Sequence, residues 1–135
     1  MNRLVHTLSA AALALAAAPA MAADRGPVTV VTHIDIIPQH MDQGLPLLQQ
    51  FVRDSRRDPG VRAFILITWA PTNNHFQILE FYDSLAAFNA HVSAAHTVAF
   101  RTAFQPNIGS PIDERRYTPS HETRYPRFED SKENR

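Results

Sequence analysis

An α+β domain of order strand, helix, strand, strand, helix, strand, with its four strands in one antiparallel sheet, is the fold class this sequence predicts. Three observations carry that prediction. Val28–Ile37, Val61–Ala70 and His75–Tyr82 are β-branched or aromatic runs of strand length, bounded by turn residues. Apolar residues recur at helical spacing in two places, first at Leu45, Leu48, Phe51 and Val52, then from Leu85 to Ala103. Pro71–Asn74 is a short polar connection that joins the second and third runs as a hairpin. The resulting order is the split βαβ, or ferredoxin-like, arrangement.

The chain opens with MNRLVHTLSAAALALAAAPAMA, which reads as an export signal. Arg3 gives the positive start, Leu8–Ala18 the short apolar core, and Ala20-Met21-Ala22 the small-x-small cleavage pattern. Cleavage after Ala22 places the mature protein in the periplasm or outside the cell. No later segment is long and apolar enough to span a membrane, so a soluble mature protein is expected. Without Arg3 the 13 Lys and Arg become 12, against 13 Asp and Glu. With no basic patch, nucleic acid is not an expected partner. There is no cysteine, which excludes disulfides and thiol nucleophiles and leaves packing or self-association to hold a small domain together.

In the first strand Val28, Val30, Thr32, Ile34 and Ile36 share one face, and Pro38 ends it. Asp42 is the expected N-cap of the first helix, which puts Pro46 in the first turn, where its missing amide does little harm. Asp58-Pro59-Gly60 closes that helix and turns the chain. The second strand has little polar alternation. In the third, Phe76, Ile78, Glu80 and Tyr82 face one way, with His75, Gln77, Leu79 and Phe81 the other.

Ser84 is the expected N-cap of a single helix whose stripe runs Leu85, Phe88, Val92, Ala95, Ala99 and Ala103. Ile112–Tyr117 is a short charged strand for a sheet edge. From Thr118 the composition turns to a charged, proline-containing tail with little to bury. The domain proper is thus 28–118. Two helices cover one face of a four-stranded sheet, yet Val31, Phe64, Leu66, Leu79 and Phe81 remain for a second layer. An apolar face that large predicts a homodimer, sheet against sheet.

His91 and His96 stand out on the last helix. Five residues apart on one continuous helix they point roughly 140° from each other. That spacing argues against a metal pair, and no metal ligand set is assigned. Their structural reading is as partly buried histidines hydrogen-bonded to neighbours.

The residues also carry a resemblance. The strand ending at Pro38, the Asp58-Pro59-Gly60-Val61 turn, and Glu80-Phe81-Tyr82-Asp83-Ser84 entering a helix with Phe88, His91, His96 and Phe100 resemble the antibiotic biosynthesis monooxygenase (ABM) domain family of dimeric α+β barrels. The resemblance spans Val28 to about Tyr117. It implies a pocket between each subunit's sheet and helices, and cofactor-independent oxidation of a quinol or phenolic substrate by O2. The family's haem-degrading branch uses an asparagine on the first strand with a tryptophan and a histidine on the last helix. Those positions read Thr32, His91 and Arg101 here, and Trp69, on the second strand, does not replace the missing tryptophan.

Such chemistry needs a base to deprotonate the substrate and an apolar site that stabilises the anion. His91 is the first candidate base, beside Phe88 and Ala95, and His96 the second. Glu80 is placed to orient an imidazole or bond the substrate, or else to satisfy amides at the start of the last helix. Trp69, Tyr82, Phe88 and Phe100 are candidate ring contacts, and Thr32 a polar one. No cofactor is called for. The alternative of another class is a non-catalytic exported small-molecule-binding protein of the same fold, which needs the cavity but no base.

Overall fold

The computed structural model describes residues 26–119; the segment read as an export signal and nearly all of the charged tail lie outside them. The element order is β1 (Val28–Asp35), α1 (Met41–Ser55), β2 (Val61–Thr68), β3 (His75–Tyr82), α2 (Leu85–Ser93), α3 (Ala95–Phe104) and β4 (Asp113–Tyr117), with short 3-10 turns at Pro38–His40 and Gln105–Asn107. The strands form one antiparallel sheet of order β2-β3-β1-β4. This is the ferredoxin-like order, with the charged β4 at an edge as the sequence implied. Among the described residues no helix is long and apolar enough to cross a membrane.

The core lies between the helices and one sheet face. Val30, Ile34, Ile78, Tyr82, Leu48 and Phe104 in it are almost wholly buried. In β2 a bulge between Val61 and Ala63 inserts one residue and so inverts the facing of the rest of the strand. Phe64 pairs with Glu80 and Leu66 with Ile78, which puts both on the core face. They are therefore not available for a second layer, contrary to the expectation from the strand alone. Ile65 and Ile67 take their place on the opposite face, beside Val31 and Leu79.

The helix α1 begins at Met41, two residues earlier than the sequence implied. His40 is its N-cap, Asp42 sits inside the first turn, and Pro46 lies within the helix. Burial of Leu48, Phe51 and Val52 outweighs the hydrogen bond that Pro46 cannot donate, because each large apolar side chain contributes about 1.5–3 kcal/mol. Ser84 caps α2 as expected, its Oγ accepting from the Ala87 amide at 3.1 Å.

The predicted single last helix is two. Ala94 is extended (φ −62°, ψ 144°), ending α2 and serving as N-cap of α3. Neither glycine nor proline marks the break. Beside it the Ser93 hydroxyl donates to the carbonyls of Asn89 and Ala90 at 3.0 and 3.1 Å. The break also turns the second half over. Ala95, Ala99 and Ala103 are exposed, and Thr97, Phe100 and Phe104 are buried instead.

The turn after α1 is held by Gly60, whose φ of +79° is in the left-handed region. A Cβ there would also lie 2.6 Å from that of Ala87 on α2. Gly60→Ala is thus expected to destabilise by more than the ~1–2 kcal/mol of left-handed strain alone, which a chemical denaturation midpoint will report.

Candidate active site

Between sheet and helices lies a cavity of about 50 Å³. Its floor is the sheet face carrying Thr32, Ile34, Ile78 and Glu80; its walls are Phe51, Phe88, Phe100 and His91. Arg101, Ile112 and Glu114, all partly or largely exposed, stand at its rim. Phe51 and Phe100 stack at 4.1 Å between ring centres, which makes one wall flat and apolar.

Besides Thr32 and the rim charges, two titratable groups sit buried in the lining. The first is Glu80, almost wholly buried on β3. Its Oε1 accepts from the Thr32 hydroxyl at 2.8 Å and its Oε2 from the Tyr82 hydroxyl at 2.6 Å. The carboxylate is thus engaged by these hydroxyls, and not by the α2 amides that the sequence offered as an alternative. Burial pushes the Glu80 carboxyl above the ordinary range, the hydroxyl bonds hold it down in part, and Glu114 adds a smaller push upward. Tyr82 is held far above the usual phenol range, chiefly by burial and then by Glu80, so it stays a neutral donor.

The raised Glu80 pKa has a consequence for stability. The native protein keeps a proton that the unfolded chain releases above about pH 4.5. Stability contributed by the neutral form is complete below that pH and is lost as pH rises through the folded value. Glu80→Gln is expected to flatten this dependence. Thermal melts at pH 4 and pH 7 should show the variant gaining on the parent as pH rises, and parallel curves would refute the assignment.

The second polar group is His91, 4% exposed on α2. Its Nδ1 lies 2.7 Å from Asp58 Oδ2, in the turn that Gly60 shapes. With the proton on Nδ1 donated to that carboxylate, Nε2 keeps its lone pair, on a ring that lines the cavity. Burial lowers the His91 pKa and the Asp58 hydrogen bond opposes that in part, so the neutral imidazole prevails.

Of the side chains anticipated from the sequence, Thr32, Glu80, Phe88, His91 and Phe100 line this cavity. Tyr82 backs it, with its hydroxyl committed to Glu80 and its ring centre 5.6 Å from that of His91. His96 does not line it. The break at Ala94 brings its Nε2 to 3.3 Å from Asp58 Oδ2, with the Thr97 hydroxyl also 3.3 Å away. The two histidines therefore converge on one carboxylate, their ring centres 5.7 Å apart, and the divergence inferred from an unbroken helix does not hold. Trp69 is 58% exposed just beyond β2 and lines a separate surface groove with Pro38 and Pro71–Asn74, so it cannot touch anything in the cavity. Asp58 and Phe51 were not singled out by sequence. Asp58 read as turn chemistry and Phe51 as core, and no local signal distinguishes them.

The fold matches solved structures from Mycobacterium tuberculosis (21% identity, TM-score 0.67, covering 73% of this chain and 100% of that one), Caulobacter crescentus (16%, 0.67, 71% and 92%) and Nitrosomonas europaea (17%, 0.66, 74% and 95%). At those identities the likeness is one of fold. No curated protein sequence matches the chain. The model of the antibiotic biosynthesis monooxygenase family matches residues 27–103, more than half of the chain, and takes in every wall of the cavity except its β4 rim. This chain belongs to the antibiotic biosynthesis monooxygenase family.

Proposed function

We propose that this protein is an exported, cofactor-independent monooxygenase that oxidises a quinol or related phenol with O2. Family membership supports a monooxygenase-type function. The observation that carries the finer reading is His91, which an Asp58 hydrogen bond orients at the wall of a cavity lined otherwise by Phe51, Phe88 and Phe100, aliphatic side chains, Thr32 and Glu80, with Arg101 and Glu114 at its rim.

In this mechanism His91 Nε2 takes the phenolic proton, and the resulting electron-rich ring reduces O2 directly. Addition of oxygen at a ring carbon gives a hydroperoxide, which loses water to leave a hydroxyquinone. A quinol plus O2 thus yields hydroxyquinone plus H2O, with every electron from the substrate. Glu80 and Thr32 form a polar floor for the substrate's oxygens, with Tyr82 holding Glu80 from behind. A cavity near 50 Å³ is well below the ~150 Å³ that takes a benzene ring. A ring therefore enters only as Val92, Arg101 and Ile112 at the lip move outward. The test is oxygen uptake by the purified protein with a quinol and phenol panel. Stoichiometric binding without oxygen consumption would favour the non-catalytic binding reading.

Two further features belong to this reading. Export rests on the Arg3, Leu8–Ala18 and Ala20-Met21-Ala22 pattern, and N-terminal sequencing of exported protein should begin at Ala23. The homodimer rests on the apolar sheet face opposite the helices, where Val31, Ile65 and Leu79 are half-buried and Ile67 is 41% exposed.

A further inference from the structure

We propose that Asp58, His91 and His96 form a binding site for one divalent transition-metal ion. Each can present one donor atom, and the three atoms lie within 4.8 Å of one another. They come from three elements that the chain brings together at one point: the turn after α1, the last turn of α2 and the first turn of α3. His91 Nδ1 and His96 Nε2 lie 2.7 and 3.3 Å from Asp58 Oδ2.

The spacing suits a small ion. With bonds near 2.0–2.1 Å in a tetrahedral site, donor atoms stand roughly 3.3 Å apart. The His96–Asp58 pair is already there. The His91–Asp58 hydrogen bond must open by about half an ångström, and the imidazoles must draw together. The hinge for that adjustment is Ala94, whose extended backbone separates the two helices.

The surroundings agree. The Phe51 ring centre is 5.7 Å from that of His91 and 6.2 Å from that of His96, an apolar wall on one side. Asp58 and His96 are 17% and 25% exposed, which leaves a route to water and room for a fourth, solvent ligand. Two imidazoles with one carboxylate suit zinc, cobalt or ferrous iron, and not calcium or magnesium, which take oxygen ligands. Sequence spacing alone argued the reverse because it assumed one straight helix.

Binding would exclude the role proposed above for His91. A cation on Nδ1 leaves the ring proton on Nε2, the nitrogen that otherwise accepts from substrate. That consequence rests on the proton-abstraction reading, but the site itself does not, so its test needs no turnover. Tag-free protein is titrated with CoCl2 at neutral pH, with ZnCl2 as competitor. The expected result is one cobalt per chain with the visible bands of four-coordinate Co(II), displaced by zinc. His96→Gln and Asp58→Asn should each weaken binding by at least ~10-fold, while His33→Gln, a surface control, changes nothing. Histidine ring 15N spectra of the parent should show the His91 proton on Nδ1 when free and on Nε2 with saturating zinc. Absence of the cobalt bands, equal loss in His33→Gln, or an Nδ1 proton that persists with zinc would overturn the site.

Discussion

His91→Ala is expected to lower quinol oxidation by about a hundredfold to ten-thousandfold, the usual effect of removing a general base, in a protein that still folds and dimerises. The side chain lines the cavity, and its Nε2 is not the nitrogen engaged by Asp58. Its removal deletes the proton acceptor and leaves Asp58 with His96 as a remaining partner at 3.3 Å, so no carboxylate is stranded without one. Oxygen uptake and melting temperature are to be measured on the same preparation. A purely structural His91 gives the opposite pattern, with stability lost and turnover nearly unchanged, because the ring also packs against Phe51, Phe64 and Tyr82. His96→Ala, outside the cavity, should cost less turnover than His91→Ala.

Leu79→Asp is expected to convert the proposed dimer to a folded monomer. Leu79 sits on β3 between Ile78 and Glu80, which point into the core, and so projects from the other sheet face. A two-fold interface would contain the substitution twice. Desolvating each carboxylate without a partner costs several kcal/mol, and every ~1.4 kcal/mol is tenfold in the dissociation constant. Loss by a factor of a thousand or more is the expected outcome in sedimentation at micromolar protein. Circular dichroism should be unchanged, because the helices pack on the opposite side. A parent protein that sediments as a monomer, or a variant that remains dimeric, would remove the interface from this face. Leu66→Asp is the contrasting substitution. Leu66 packs against the core, so the charge should unfold the protein rather than separate its subunits.

Period-two and period-3.6 patterning determined the element order, the hairpin, the Ser84 cap and the face of β3 that carries Glu80 and Tyr82, because those depend on contacts within one element or between neighbours. The same patterning placed Thr32, Glu80 and Phe88 on faces that must meet and His91 at the edge of its stripe, whereas Phe100, off the predicted stripe, came forward with the family resemblance. What it could not supply was any geometry that depends on a single irregular residue. The bulge after Val61 inverted β2 and moved Phe64 and Leu66 into the core. The break at Ala94 falls within an alanine-rich stretch whose helical pattern does not reveal it. Asp58 acquired its role through tertiary contact alone, since His91 and His96, from separate helices, reach this one turn carboxylate, 33 residues distant from His91 in the chain. Local sequence determines which face a side chain occupies; which distant partner waits there is decided by how the irregular points of the chain are folded together.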